Sequence, residues 1–250
     1  MTVKEFLDYL SQELNRSPRT VISYAEDLYA FEAYFLDKDE GLTWETIDTD
    51  IIRDWMESMV DKGNSPSSVA RRLSAVKGFF KFALAREFIS SDPAHAIRSP
   101  KRSRPLPQFL KENEINDLLD KQAWGDDFKG LRDRLIIMML YETGVRLAEL
   151  VGMDDKAVNL TGQFIKVTGK GDKQRVIPFG NELKSMIENY VEERNRTVSR
   201  KTAALLVSET GLRIKPDLVE RIVKENLARF CSLKKKSPHV LRLSLIHISE

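Results

Sequence analysis

The sequence predicts a mainly α-helical protein of two domains, the second of which carries a small antiparallel β-sheet. Three observations support this fold class. Apolar residues recur at helical spacing through most of the chain. Residues 99–107 hold three prolines and three basic residues, which disfavour a helix and a core and indicate a linker. Between residues 163 and 178 the apolar period becomes that of strands around a glycine-rich turn. We therefore expect domains at 1–98 and 108–250.

Four helices are predicted in the first domain. Ser17 and Ser65 each precede a proline, which is typical of an N-cap with proline in the first helical turn, so they should begin the second and fourth helices. The third helix should run from Asp50 to Val60 and stop at Gly63. The apolar faces of the first, second and fourth helices are Phe6, Leu7, Leu10 and Leu14; Val21, Tyr24, Leu28, Phe31 and Phe35; and Val69, Leu73, Val76, Phe80 and Ala83.

The second domain should begin with a helix from about Lys111 to Lys121. Residues 134–141 are apolar nearly all round, which predicts a core helix; Gly144 should end it before a short helix over 146–151. Predicted strands 163–168 and 174–178 are joined by the turn 169–173, and helices return over 182–194 and 217–230. The pair Asp154-Asp155 is interpreted as a solvated turn.

Composition excludes several classes of protein. No stretch reaches the roughly 18 apolar residues of a membrane-spanning helix. The N-terminus lacks the features of a signal peptide. The single Cys231 permits no internal disulfide, and no histidine or carboxylate cluster has metal-ligand spacing. We expect a cytoplasmic protein that needs no metal, cofactor or membrane.

Charge is distributed unevenly along the chain. Residues 1–97 hold 11 Lys and Arg against 17 Asp and Glu, whereas residues 98–250 hold 29 against 21, within totals of 40 and 38. A basic half beside an acidic half suggests a polyanionic partner such as nucleic acid. A solvated basic surface explains the same counts, and charge alone leaves both interpretations open.

Three short motifs carry candidate chemistry, namely residues 143–150 (Thr-Gly-Val-Arg-Leu-Ala-Glu-Leu), Gly169-Lys170-Gly171, and His239-Val-Leu-Arg242. Each is weak alone. Arg146 could simply pair with Glu149 three residues later on a helix. The Gly-Lys-Gly turn lacks the pattern of a phosphate-binding loop.

The order of these motifs resembles the catalytic domain of tyrosine recombinases, the phage-integrase family, and most closely its bacterial Xer-type members. That family carries arginine in a Thr-Gly-x-Arg-x-x-Glu-Leu box, lysine in a β-hairpin turn, then His-x-x-Arg and a tyrosine. Arg146, Lys170, His239 and Arg242 match the first four in order. The pattern Thr20-x-x-x-Tyr24-x-x-Asp27-Leu28 resembles the family's helical, SAM-like core-binding domain. The resemblance covers residues 1–242.

The resemblance implies a DNA strand-exchange enzyme that forms a phosphotyrosine intermediate. Arg146 and Arg242 would stabilise the charge on the attacked phosphate, because guanidinium groups bind phosphate oxygens in pairs. His239 would donate a hydrogen bond or carry a proton. Lys170 would protonate the leaving 5′-oxygen as general acid. No metal or ATP is required for this chemistry.

The expected partners are double-stranded DNA and other recombinase subunits, in a homo- or heterotetramer. Candidate DNA contacts lie on the fourth helix, in the linker and before the His239 motif: Arg71, Arg72, Lys77, Lys81, Lys101, Arg102, Lys234, Lys235 and Lys236. On the fourth helix and in the linker a solvated position is an equally simple explanation for any one residue. For Lys234, Lys235 and Lys236 phosphate contact is favoured, because they adjoin the His239 motif and hence the expected scissile phosphate.

The sequence departs from the family after Arg242. The six tyrosines all precede His239, and none matches the place of the nucleophile. We expect the 250-residue chain to lack the nucleophile and to be inactive by itself.

A non-catalytic DNA-binding module, or a partner of an intact recombinase, is the alternative. A type IB topoisomerase would share the chemistry but would need a different N-terminal clamp. Chromosome-dimer resolution and movement of an integrated element both remain open.

Overall fold

The computed structural model describes residues 1–101, 110–121, 124–169, 173–231, 233 and 236–248. The chain divides into two compact units, Met1–Pro105 and Leu106–Glu250, and each has its own hydrophobic core. Most of the predicted linker lies outside the described residues, so its boundaries stay a prediction. The predicted fold class is confirmed. None of the described helices is long and apolar enough to cross a membrane.

The first unit is a helical bundle. Its helices are α1 (Val3–Asp8, continued by a π-helical turn Tyr9–Glu13), α2 (Pro18–Lys38), α3 (Thr49–Asp61) and α4 (Pro66–Ala85). Ser17 and Ser65 are the N-caps of α2 and α4, as predicted, because each side chain accepts a backbone N–H three residues later. The core is rich in aromatic rings, and Trp44 packs within 6 Å of the rings of Phe31, Phe35, Phe79 and Phe80.

The second unit combines helices with the sheet. They are α5 (Glu112–Asn116, continued by a π-helical turn Asp117–Lys121), α6 (Phe128–Thr143), α7 (Leu147–Gly152), α8 (Asn181–Thr197), α9 (Pro216–Phe230) and α10 (Pro238–Ile248). Residues 135–140 of α6 are all buried, which confirms the predicted core helix. Helix α6 packs against α8 and α10. The sequence pattern had not assigned α10, which carries the His239 motif.

The sheet consists of β1 (Val158–Asn159), β2 (Phe164–Thr168) and β3 (Gln174–Pro178), in the antiparallel order β1-β2-β3. Strands β2 and β3 pair from Phe164 opposite Pro178 to Thr168 opposite Gln174. The N–H of Gly169 donates to the Lys173 carbonyl at 2.8 Å and closes the hairpin. The two predicted strands are confirmed; β1 was missed because two residues are too few to produce a period.

The interpretation of Asp154-Asp155 as a solvated turn is wrong. Asp155 accepts from both terminal nitrogens of Arg194, at 2.8 and 3.1 Å, and also pairs with Arg200. Asp154 pairs with Arg213 at 2.5 Å. These carboxylates compensate arginines that are wholly or partly buried, which no local sequence pattern indicates.

Candidate active site

Arg146 lies in the short connection between α6 and α7. Gly144 ends α6 in the left-handed conformation at φ 58°, which glycine adopts at little cost because it has no Cβ. Arg146 is then the N-cap residue of α7, and its side chain is 54% exposed. Its backbone N–H donates to Glu149 Oε2 and its Nη1 donates to Glu149 Oε1, both at 2.8 Å. Among the described residues, its remaining guanidinium N–H groups have no hydrogen-bond partner and can serve a ligand.

Glu149 is shared between two arginines. Arg175 of β3 donates from Nη1 to Oε1 and from Nη2 to Oε2, both at 2.8 Å. The carboxylate is 5% exposed. Burial acts to raise the pKa of Glu149, but the hydrogen bonds from Arg175 and then Arg146 outweigh it and lower the pKa from 4.5 to about 2. Glu149 therefore stays ionised throughout the physiological range.

His239 and Arg242 lie one helical turn apart on α10. His239 is exposed, whereas Arg242 is partly buried. The pKa of Arg242 is lowered, first by burial and then by the positive charge of Arg146, with Glu149 opposing and Arg175 adding a smaller effect. Arg242 is thus within electrostatic reach of the other two arginines and of Glu149.

These groups form one basic cluster, which we call the arginine cluster: Arg146, Arg175 and Arg242 around the single carboxylate of Glu149. Three positive charges and one negative charge leave a net charge of +2. Two of the predicted catalytic residues, Arg146 and Arg242, are therefore close enough for their charges to interact, although they are nearly a hundred residues apart in the sequence. A clustered, incompletely compensated set of guanidinium groups is suited to bind a phosphate group.

Lys170 lies outside the described residues, so its position stays a prediction. The residue before it, Gly169, lies beside the arginine cluster. A Cβ at Gly169 would be 3.5 Å from Arg175 Nη1 and 3.6 Å from Glu149 Oε1. The base of the hairpin whose turn contains Lys170 is therefore in contact with the Arg175–Glu149 pair.

Sequence reasoning missed Arg175. The sequence of β3 gave no signal for it, because Arg175 shares the less exposed face with Ile177 whereas the apolar Val176 is exposed. The Arg175 side chain is 37% exposed. The sequence did not indicate that Glu149, already assigned to Arg146, would be its partner.

The candidate DNA contacts of the first unit differ in how far their charges are already compensated. Arg71 binds the buried carboxylate of Asp27 with both terminal nitrogens and also donates to Ser23. Arg72 Nε lies 3.8 Å from Asp27 Oδ1. Lys77 donates to the Ile97 carbonyl at 2.5 Å. Lys81 and Lys101 are exposed.

The remaining candidate contacts belong to the linker and to the segment before His239. Arg102, Lys234 and Lys235 lie outside the described residues. Lys236 donates to the Leu233 carbonyl at 2.7 Å, which holds its side chain against its own segment. Within the described parts of the chain, no three His, Cys, Asp or Glu side chains are grouped as a metal site.

Comparison with known proteins identifies the fold and the family. Residues 3–87 match the phage integrase N-terminal SAM-like domain, and residues 108–247 match the phage integrase family domain. The chain belongs to the phage integrase family. This recombinase is 32% identical to tyrosine recombinase XerC of Chlorobaculum tepidum, over 95% of its own length and 79% of the relative's.

Two further relatives agree. The recombinase is 35% identical to tyrosine recombinase XerC of Natranaerobius thermophilus, covering 96% of this chain and 82% of the relative. It is 29% identical to tyrosine recombinase XerD of Oceanobacillus iheyensis, covering 97% and 82%. The expectation of an Xer-type tyrosine recombinase is confirmed.

Solved structures share the fold. The recombinase aligns with XerH site-specific recombinase, crystallised with palindromic difH substrate as a post-cleavage complex, at a TM-score of 0.75 and 21% identity, covering 98% of this chain and 72% of that one. It aligns with a lambda integrase tetramer bound to a Holliday junction at a TM-score of 0.70 and 18% identity, covering 100% and 70%. At these identities the likeness concerns the fold alone.

Proposed function

We propose that this protein is a site-specific DNA recombinase whose arginine cluster binds the phosphate at which a DNA strand is cut and rejoined. One observation carries the proposal: Arg146 and Arg242 are brought into one cluster whose net charge is +2. Attack on a phosphodiester develops additional negative charge on the non-bridging oxygens. Preorganised guanidinium groups stabilise that charge more strongly than they stabilise the ground state.

The roles follow from the chemistry of each side chain. Arg146 and Arg242 donate to the non-bridging oxygens, and His239, exposed one turn before Arg242, adds a further hydrogen bond. Lys170 protonates the leaving 5′-oxygen, since an alkoxide is a poor leaving group and a lysine ammonium is a suitable acid. A tyrosine attacks phosphorus, so a phosphotyrosine bond replaces the DNA phosphodiester until the 5′-hydroxyl attacks in turn.

The nucleophile is the second part of the proposal. All six tyrosines, at positions 9, 24, 29, 34, 141 and 190, precede His239 in the chain. Because none of them follows the His239 motif, as the family's nucleophile does, we propose that the 250-residue polypeptide forms no covalent link to DNA by itself. The alternative function, a DNA-binding subunit that acts beside an intact recombinase, follows from the same count.

We further propose duplex DNA and other recombinase subunits as partners, in the cytoplasm. Neighbours in fold are XerH bound to difH and lambda integrase as a dimer on a core site and as a tetramer on a Holliday junction. The exposed Lys81 and Lys101 are proposed as phosphate contacts of the first unit and the following segment. Arg71 is a weaker candidate, because Asp27 already compensates its charge.

The test mixes the polypeptide with duplex DNA and with a nicked trapping duplex. We expect duplex binding that weakens steeply with salt, because several phosphates are neutralised at once. We also expect no band shift that survives denaturing electrophoresis. Salt-independent binding would contradict the proposed binding of duplex DNA. A denaturant-resistant adduct that is lost on mutating one of the six tyrosines would contradict the proposed absence of the nucleophile.

A further inference from the structure

Arg175 lies outside the predicted catalytic set but makes the bidentate contact in the arginine cluster. It comes from β3, whereas Arg146 comes from the start of α7. Both guanidinium groups reach the same carboxylate, and Oε1 of Glu149 accepts from Nη1 of each arginine. The arrangement therefore joins two separate elements through one shared acid.

The sharing limits how strongly Glu149 holds Arg146. A carboxylate paired with one arginine tends to accept from both ends of the guanidinium fork. Here Arg175 occupies that bidentate position, at 2.8 Å to each oxygen, and Arg146 gives a single guanidinium bond to Oε1. Arg146 consequently remains 54% exposed, and several of its guanidinium N–H groups have no partner among the described residues.

We propose that Arg175 is a positioning residue for phosphate binding: by taking the bidentate place on Glu149, it keeps the Arg146 guanidinium free to face the DNA phosphate. This inference rests on the proposed function, since it assumes that Arg146 contacts phosphate. Without the Arg175 fork, Glu149 would be a buried carboxylate with one arginine neighbour. Arg146 would then turn its fork onto Glu149 and lose its outward donors.

The inference extends to the hairpin. Gly169 packs beside the Arg175–Glu149 pair, and a Cβ there would lie 3.5 Å from Arg175 Nη1. The pair therefore fixes the base of the β2–β3 hairpin against the start of α7. Replacing Arg175 with lysine keeps the positive charge but removes the bidentate contact. This change alone should therefore disturb both the hairpin and the start of α7.

The experiment uses the 250-residue protein and a fluorescent generic duplex of about 30 base pairs, with anisotropy measured at several NaCl concentrations. The variants are R146A, R175K, the double variant R146A/R175K and E149Q/R175K. Lysine keeps the charge of Arg175 but cannot form the bidentate fork. R196K is the matched control, because Arg196 also pairs with a glutamate, Glu193 on α8, but its own side chain is 72% exposed.

We expect R175K to weaken binding about as much as R146A, roughly tenfold, and each to reduce the salt slope by about one. In the R146A background the further change R175K should weaken DNA binding by less than about twofold, because both changes remove the same contact. E149Q/R175K should recover most of the affinity, because the neutral amide no longer draws Arg146 inward. R196K should bind as the unchanged protein does.

Wild-type binding by R175K, or a loss that adds in full to that of R146A, would overturn the inference and leave the proposed function intact. If R146A itself binds like the unchanged protein, the phosphate-binding role that the proposed function gives to Arg146 fails instead. Circular dichroism checks folding. If R175K alone unfolds, E149Q/R175K replaces it, because this double variant has no uncompensated buried carboxylate. Wild-type-like DNA affinity of E149Q/R175K supports the inference. Affinity as weak as that of R146A contradicts it.

Discussion

Arg71 on α4 binds Asp27 on α2 through both terminal nitrogens of its guanidinium, and its Nη2 lies 2.8 Å from Asp27 Oδ1. The carboxylate is 4% exposed, whereas the arginine is 52% exposed. Burial raises the pKa of Asp27 despite the opposing hydrogen bonds and charge of Arg71. The contact therefore ties two helices of the first unit together, and it gives Arg71 a structural role that the sequence pattern alone did not indicate.

Replacing Arg71 with alanine should lower the free energy of unfolding by about 2 kcal/mol, because a buried carboxylate loses its main hydrogen-bond donor. The measurement is urea unfolding followed by circular dichroism. Lys81→Ala on the same helix is the control and should change stability little, since Lys81 makes no hydrogen bond or ion pair among the described residues. Equal stabilities for the two variants would show that the Asp27 contact is not needed for folding.

Asp155→Ala should lower the free energy of unfolding by about 3 kcal/mol or more. Arg194 is fully buried, and the change would leave its charge with only neutral partners, among them the Leu205 carbonyl at 2.7 Å. Asp54→Ala breaks the exposed Lys38–Asp54 pair and should cost less than about 1 kcal/mol. Urea unfolding compares the two. A loss for Asp155→Ala no larger than that for Asp54→Ala would contradict this reading of the buried arginine.

Glu149 should give the protein a specific acid sensitivity. Its pKa is about 2 in the folded protein and about 4.5 in the unfolded chain, so the stabilisation of about 3 kcal/mol is complete above pH 4.5 and is lost as the pH falls through 2. Between pH 6 and pH 3 about 2 kcal/mol of it should disappear. Glu149→Gln should lack this pH-dependent stabilisation. Urea unfolding at pH 6 and pH 3 gives the change in the free energy of unfolding for each protein, and this change should be smaller for Glu149→Gln. Parallel pH dependences would exclude it.

Gly144→Ala should destabilise the protein by about 1 kcal/mol, because residue 144 has a φ of 58° at the end of α6. Gly152 offers a control at the last residue of α7, where a Cβ would meet no atom of another described part of the chain within 4 Å. Gly152→Ala should be neutral or stabilising by up to about 1 kcal/mol, since alanine favours a helix. Thermal unfolding of both variants checks the contrast, and a neutral Gly144→Ala would mean that the turn before Arg146 does not depend on glycine.

The sequence by itself determined the elements that have a local physical cause. Ser17 and Ser65 before prolines fixed two helix starts, the unbroken apolar run in α6 predicted burial on all sides, and alternation predicted β2 and β3. The order of Arg146, Lys170, His239 and Arg242 was sufficient to indicate the family. The helix and strand signals depend on neighbours within a few residues, which is the range over which a sequence pattern can be followed, whereas the order of the four residues indicated the family by resemblance.

Only the tertiary structure decided which charges meet. Arg175 and Glu149 are 26 residues apart, Arg71 and Asp27 are 44 apart, and Arg194 and Asp155 are 39 apart. Each pair forms because packing of separate elements excludes water from a charged group, which must then find an opposite charge at whatever position the fold brings near. Electrostatic pairing at such separations has no periodicity, so the sharing of Glu149 by Arg146 and Arg175 emerged only from the folded chain.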